Sequence, residues 1–274
     1  MSLRNADCHA HIIDLKRFPV PGGRGYKPTA AETGTREDFA GMLDRHGLHH
    51  GLLVQLSGYG TDNSPILDAV AAYPGRFKAV AVIDARFGDR QLEDMARAGV
   101  VGVRFNLPSY DPGALSGPEV PRLLDRIKAL GWVAQVYATD AQWRDAAPTL
   151  SASGVTVVVD HFGVHDPAGG LAQAGFQQVL RLGREGRAAV KLSSMFRISG
   201  EAGYRDLDPF VEALVATFGI DKCLWGSDWP FVGVAARPDY VSQLDPLARW
   251  FPDAEDRARV LADNPARLFG FGRD

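Results

Sequence analysis

The sequence predicts a single-domain α/β protein, a (β/α)8 TIM barrel, and three observations lead there. The chain has 274 residues, close to the roughly 250 of one such barrel. Eight apolar, β-branched runs recur along it, each ending in polar residues or glycine and each followed by an amphipathic stretch; that alternation belongs to βα units around a parallel sheet. No GxGxxG follows the first run, which removes the main signature of an open dinucleotide-binding sheet.

The predicted strands are DCHAHIID at 7–14, GLLVQLS at 51–57, KAVAVID at 78–84, VGVRFNL at 101–107, WVAQVYA at 132–138, VTVVVDHF at 155–162, AAVKLSS at 188–194 and KCLWGSDW at 222–229. Several are nearly continuous Val, Ala and Leu, as strands covered on both faces should be. Helices are expected in REDFAGMLDRHG, SPILDAVAAYPG, QLEDMARAGV, VPRLLDRIKALG, AAPTLSASG, FQQVLRLGREG and LDPFVEALVATFG, with a last one near 253–268. Their apolar residues recur at helical spacing, and most end in glycine, the usual residue past a helix end. Ser64 before Pro65 reads as an N-cap followed by proline in the first turn.

Composition narrows the function classes. The chain is 46% hydrophobic and 23% charged with a formal net charge of −3, so nothing electrostatic points to nucleic acid or an anionic membrane. No apolar run approaches the ~18 residues of a membrane span, and the polar start MSLRNADCHAHIID lacks a signal-peptide core. A cytoplasmic protein is expected, with a homo-oligomer left open. The two cysteines, Cys8 and Cys223, are too few for a disulfide scaffold and read as buried thiols.

Barrels gather their functional groups where strands end. The first run delivers His9 and His11, which alternation along a strand places on one side. Asp7 shares their parity one layer lower and is expected to orient a histidine. The sixth run delivers His161, read as continuing an inward row of Val155, Val157 and Val159. The eighth delivers Asp228, just before Trp229 and Pro230; carboxylates are rarely buried unless paired or working. Core histidines and a loop-capping aspartate are the plainer readings of the same residues.

Two arginines follow. Arg104 interrupts VGVRFNL and Arg197 follows the seventh run; each either pairs with a neighbouring carboxylate or awaits an anionic ligand. The loop PVPGGRGYKPT adds Arg24, Tyr26 and Lys27 on the same face, and SGYGTDN offers Ser57 and backbone donors, or simply changes direction.

The HxH of the first run and the aspartate of the eighth resemble the amidohydrolase superfamily. Within it, DCHAHIID, GYKP, VQLSGYGTDN, VGVRFNL, VVVDHFG, VKLSS, WGSDWP and DNPARLFGF, in that order, resemble the 2-pyrone-4,6-dicarboxylate lactonase group. The resemblance implies that Asp228 activates water, that His9, His11 and His161 surround a lactone carbonyl, and that Tyr26, Ser57, Arg104, Tyr137 and Arg197 hold an acidic small-molecule substrate. It implies no required cofactor. The fourth run has no lysine and the fifth no histidine, which weighs against a binuclear metal site, and Tyr110 stands where the group's pattern has a second arginine.

Alternatives remain at this point. A mononuclear zinc-dependent sugar-acid lactonase would hold one divalent metal on His9, His11 and Asp228. A metal-dependent decarboxylase of the same superfamily and a catalytically silent, small-acid-binding barrel are the others.

Overall fold

In the computed structural model, residues 4–21, 25–84, 86–109 and 115–272 are described. Eight parallel strands follow one another in sequence order: β1 Ala6–Ala10, β2 His50–Val54, β3 Phe77–Ala81, β4 Val100–Asn106, β5 Val133–Tyr137, β6 Thr156–Val159, β7 Ala188–Ser193 and β8 Cys223–Gly226. The ring closes just past the ends of β1 and β8. There Ala10 bridges Trp229, His11 N–H donates to the Trp229 carbonyl at 2.8 Å, and Asp228 N–H donates to the His9 carbonyl at 2.8 Å. The fold is the expected barrel, and its seam runs through residues marked for chemistry.

The observed strands β1, β6 and β8 stop well short of the runs that predict them. The run at 7–14 is strand only to Ala10, that at 155–162 only to Val159, and that at 222–229 only to Gly226. Where the last three strands end, the chain turns left-handed, with φ of 51° at His161, 59° at Ser194 and 64° at Asp228. That backbone costs an L-residue roughly 1–2 kcal/mol. It aims three polar side chains at the barrel mouth.

Strand alternation sorts the core into two layers. Cys8, Leu52, Val80, Val133, Val158 and Leu224 pack together inside the barrel, with Phe269 and Phe271 from the C-terminal segment. Val157, Val159, Val190 and Trp225 belong to the cluster between strands and helices. This corrects the predicted parity of His161. Val155, Val157 and Val159 face the helices, and His161 reaches the mouth because its own backbone departs from the strand, not because alternation carries it there. On β1 a register shift between Asp7 and Ala10 likewise separates Asp7 from the histidines above it.

The main helices are α1 Arg36–Arg45, α2 Ser64–Ala72, α3 Asp89–Arg97, α4 Val120–Ala129, α5 Asp140–Ser153 and α6 Ala174–Arg184. The short α7 Met195–Ile198, then α8 Asp208–Phe218, α9 Tyr240–Leu244, α10 Pro246–Trp250, α11 Ala254–Ala258 and α12 Asn264–Phe269 follow. A π turn at Arg259–Asp263 joins α11 to α12, so the last predicted helix is one continuous rod. Two boundaries differ from expectation. Helix α5 begins at Asp140, not Ala146, because Thr139 and Gln142 close a capping box around a first turn with little apolar periodicity. Ser64 is already helical, and Asn63 beside it bonds instead to the Val82 N–H and carbonyl at 2.9 and 2.8 Å. Both cysteines are buried and free. Among the described residues no helix is long and apolar enough to cross a membrane.

Candidate active site

The strand ends surround a cavity of about 260 Å³. His11, Tyr26, Ser57, Arg104, Tyr137, His161, Arg197 and Asp228 all line it. His9 lies beneath the floor, fully buried, its ring centroid 5.1 Å from that of His11 and 4.5 Å from that of His161. The predicted site residues thus converge, with one a layer below the rest.

Asp228 divides its two oxygens between different partners. Oδ2 accepts the Ser194 hydroxyl at 2.7 Å and Arg197 Nε at 2.8 Å. Oδ1 stands 3.2 Å from His11 Nε2 and 3.7 Å from His9 Nε2. Burial pushes this carboxyl up, but the Arg197 charge, the His11 contact and the nearby histidines outweigh it and hold Asp228 well below the usual carboxylate range. It is ionised at neutral pH.

Each histidine is oriented by its other nitrogen. His11 Nδ1 lies 2.7 Å from the Val54 carbonyl, which can only accept, so Nδ1 carries a hydrogen. His161 Nδ1 meets the Ser193 hydroxyl at 2.8 Å, and burial lowers this imidazole to about 4. His9 Nδ1 is 3.3 Å from both Lys191 Nζ and Asp160 Oδ1, while its Nε2 has no hydrogen-bond partner. Burial, then the Lys191 charge, lowers His9 well below the ordinary imidazole value.

Lys191 and Asp160 were not anticipated. Both are fully buried, 3.4 Å apart, and Gln135 Nε2 donates to the other Asp160 oxygen at 3.1 Å. Burial raises Asp160, yet Lys191 and His9 hold it well below the carboxylate range. Lys191 is itself lowered by burial, against the pull of Asp160. A signal was present: Lys191 interrupts AAVKLSS as Arg104 interrupts VGVRFNL, and Asp160 has the inward parity of Val158.

Asp7 takes a different role from the one expected. Its carboxylate accepts the His9 and Ser227 N–H groups at 3.0 and 2.9 Å and the Ser227 and Tyr240 hydroxyls at 2.5 and 2.8 Å. It touches no imidazole and instead ties β1 to the segment leaving β8, because the register shift in β1 leaves it outside the barrel interior.

The arginines resolve differently. Arg197 pairs with Asp228, and its other arm donates to the Val232 carbonyl at 2.5 Å. Arg104 donates to the Gln55 carbonyl at 2.9 Å and keeps a buried Nε without a hydrogen-bond partner, 3.9 Å from Asp160. Tyr137 packs its ring edge against His161 and lies beside Arg104.

Two loops close the side of the cavity. The Tyr26 hydroxyl donates to Glu32 at 2.5 Å, and Glu32 also accepts the Gly233 and Thr29 N–H groups, both at 2.7 Å. Burial opposes ionisation of Glu32, but these donors, Tyr26 first, bring it down to about 2. Tyr26 N–H donates to Ser57 Oγ at 3.1 Å. The loops touch backbone to backbone: a Cβ at Gly25 would lie 2.4 Å from the Ser57 carbonyl oxygen, and one at Gly58 2.1 Å from that of Tyr26. Glycine is required at both. Lys27 is exposed and outside the cavity lining, while Arg24 and Tyr110 lie outside the described residues.

His9, His161 and Asp228 each bring one metal-ligating atom within 4.8 Å of the others. His161 thus stands where the sequence suggested His11. Two imidazoles and a carboxylate, one nitrogen of them unpartnered, fit a single divalent cation such as zinc. The inward residues Arg104 and Asn106 of β4, and Gln135 and Tyr137 of β5, offer no ligands for a second ion bridged by lysine.

The amidohydrolase family pattern matches residues 6–271. The chain belongs to the amidohydrolase family. This amidohydrolase is 31% identical over 270 residues to the 4-sulfomuconolactone hydrolase of Hydrogenophaga intermedia, covering 96% of this chain and 88% of that one. It is 30% identical over 275 residues to the 2-pyrone-4,6-dicarboxylate hydrolase of Comamonas testosteroni, covering 96% and 89%. Its structure superposes with a TM-score of 0.88 and 29% identity on that of a probable 2-pyrone-4,6-dicarboxylic acid hydrolase from Acinetobacter baumannii with citric acid bound, over 98% of this chain and 100% of that one. The relatives agree with the resemblance carried by the strand-end segments.

Proposed function

We propose that this amidohydrolase opens the lactone ring of a small, carboxylate-bearing substrate, with Asp228 as the base that activates water. The observation that carries this reading is the split of Asp228, anchored through Oδ2 by Arg197 and Ser194 while Oδ1 faces the histidines at the cavity floor. Lactone-hydrolysing relatives that match nearly the whole chain support the substrate class.

Water attacks the lactone carbonyl carbon as its proton passes to Asp228 Oδ1. Asp228 is a weak base at rest, but the attacking water grows strongly acidic as the C–O bond forms. The oxyanion is stabilised by imidazole N–H donors around it. The ring C–O bond then breaks, the proton held by Asp228 goes to the leaving ring oxygen, and the product carries one new carboxyl and one new hydroxyl. Arg104, which lines the cavity, orients a substrate carboxylate, and Tyr137 and Ser57 line the same cavity.

We further propose that no metal is required. A cation on His9, His161 and Asp228 would supply Lewis-acid polarisation of the carbonyl. Against an obligatory one stand Lys191, Arg104 and Arg197, three cationic side chains around two carboxylates, which leave a dication no excess negative charge to neutralise. The test is turnover of 2-pyrone-4,6-dicarboxylate, 4-sulfomuconolactone and neutral lactones, before and after chelation. Turnover of acidic lactones that survives chelation is expected. No lactone turnover overturns the function, and loss on chelation with recovery on zinc overturns the metal-free reading.

A further inference from the structure

A lysine with no exposed surface in the middle of a barrel is costly unless something compensates it, and Lys191 does not line the cavity. Its polar contacts include Asp160 Oδ1 at 3.4 Å and His9 Nδ1 at 3.3 Å. We propose that the Lys191–Asp160 pair is a positioning device that keeps His9 in the tautomer with its hydrogen on Nε2, so that His9 faces the reacting centre as a donor and not as a metal ligand.

The assignment follows from which groups can give and which can only receive. An ammonium has donors and no acceptor, and a carboxylate the reverse. His9 Nδ1 meets Lys191 Nζ in hydrogen-bonding geometry, whereas Asp160 Oδ1, also 3.3 Å from that nitrogen, lies outside hydrogen-bonding geometry. Nδ1 is therefore the acceptor, and the ring hydrogen sits on Nε2. Asp160 balances the ammonium, so the donor stays charged within the barrel. His9 is closely packed: a Cβ at Gly226 would lie 2.7 Å from His9 Cβ, and the His11 and His161 rings flank the imidazole on the floor.

His11 shows the contrast. Its Nδ1 faces a carbonyl, so that nitrogen is a donor where His9 Nδ1 is an acceptor. Two histidines two residues apart thus take opposite roles at Nδ1, set by what lies behind them. Removing the ammonium would free His9 Nδ1 to donate to Asp160 and bare Nε2, giving His9 a lone pair beside the ligating atoms of His161 and Asp228. Lys191 acts at the reacting centre proposed above, but the tautomer is read without substrate, so it and lactone turnover can fail separately.

The experiment is long-range 1H–15N correlation on histidine-labelled protein, with the His9 signals identified by their loss in His9→Gln, together with calorimetric titration of zinc into wild type and Lys191→Met. The wild-type His9 should show Nε2–H. In Lys191→Met it should switch to Nδ1–H, with zinc binding about tenfold tighter or more, the scale on which groups behind a histidine alter metal affinity. Nδ1–H in the wild type overturns the proposal, and that spectrum decides even where Lys191→Met does not fold. An unchanged tautomer and zinc affinity in a folded Lys191→Met overturns it too.

Discussion

Arg197 Nε donates to Asp228 Oδ2 at 2.8 Å, and this contact turns the opposite oxygen of the carboxylate toward His9 and His11. A residue that sequence alone left between pairing with a carboxylate and awaiting a ligand is engaged with the proposed base. Its first duty is to hold Asp228 ionised and oriented.

It follows that Arg197→Ala should weaken more than binding. Arg197 is the largest of the influences that lower Asp228 against the effect of burial, so its loss raises the carboxyl. The rate requires ionised Asp228, and the acid limb of the kcat/KM–pH profile should therefore move to higher pH. A profile that only scales down, with its acid limb unmoved, would show that Arg197 does not set the state of Asp228.

Arg104 is the better candidate for gripping a substrate carboxylate. Losing one charge-assisted hydrogen bond costs about 1.5–3 kcal/mol. Arg104→Ala should raise KM by about tenfold to a hundredfold for an acidic lactone, with far less effect on its neutral ester. Equal effects on both substrates would remove Arg104 from carboxylate recognition.

Asp7 predicts a stability effect. Asp7→Ala strands two N–H groups and two hydroxyls at the β1–β8 seam, and should lower the unfolding free energy by about 3 kcal/mol or more. Denaturant titration measures it; a loss under about 1 kcal/mol would mean that the seam does not depend on this carboxylate.

Glu32 predicts a pH dependence. Its folded value of about 2 lies below the ordinary glutamate value, so the unfolded chain takes up its proton first as pH falls. The stability that Glu32 adds over Glu32→Ala should be full above about pH 5 and shrink as pH drops toward 2. A stability difference that stays constant across that range would contradict the ionised latch between Tyr26 and Gly233.

Much of this was legible from the sequence because the barrel repeats itself. The buried Val and Ala runs give the strands, and the polar residues within and just after them, with Tyr26 from the first loop, give eight of the cavity-lining side chains. What was not legible depends on backbone detail. The left-handed turn at His161 and the register shift beside Asp7 both break the alternation from which facing was inferred, so the expected place of His161 at the mouth rested on a wrong parity and Asp7 received a wrong role. Lys191 and Asp160 sat in segments already singled out, but a charge inside an apolar run shows its partner only once β6 and β7 lie side by side. The role of Glu32 is hidden for a similar reason: Tyr26 and Thr29 are its chain neighbours, but the Gly233 N–H that completes its set of donors comes from 201 residues away.

The central claim is that Asp228 accepts the proton of the attacking water. Asp228→Asn keeps the size of the side chain and a carbonyl oxygen for the Ser194 and Arg197 donors, so the fold should survive. The decisive measurement is kcat of Asp228→Asn on an acidic lactone that the wild type turns over, with circular dichroism confirming the fold. A fall of about 10²–10⁴ is predicted, the usual scale for losing a general base. Near-wild-type turnover by a folded Asp228→Asn would contradict the account.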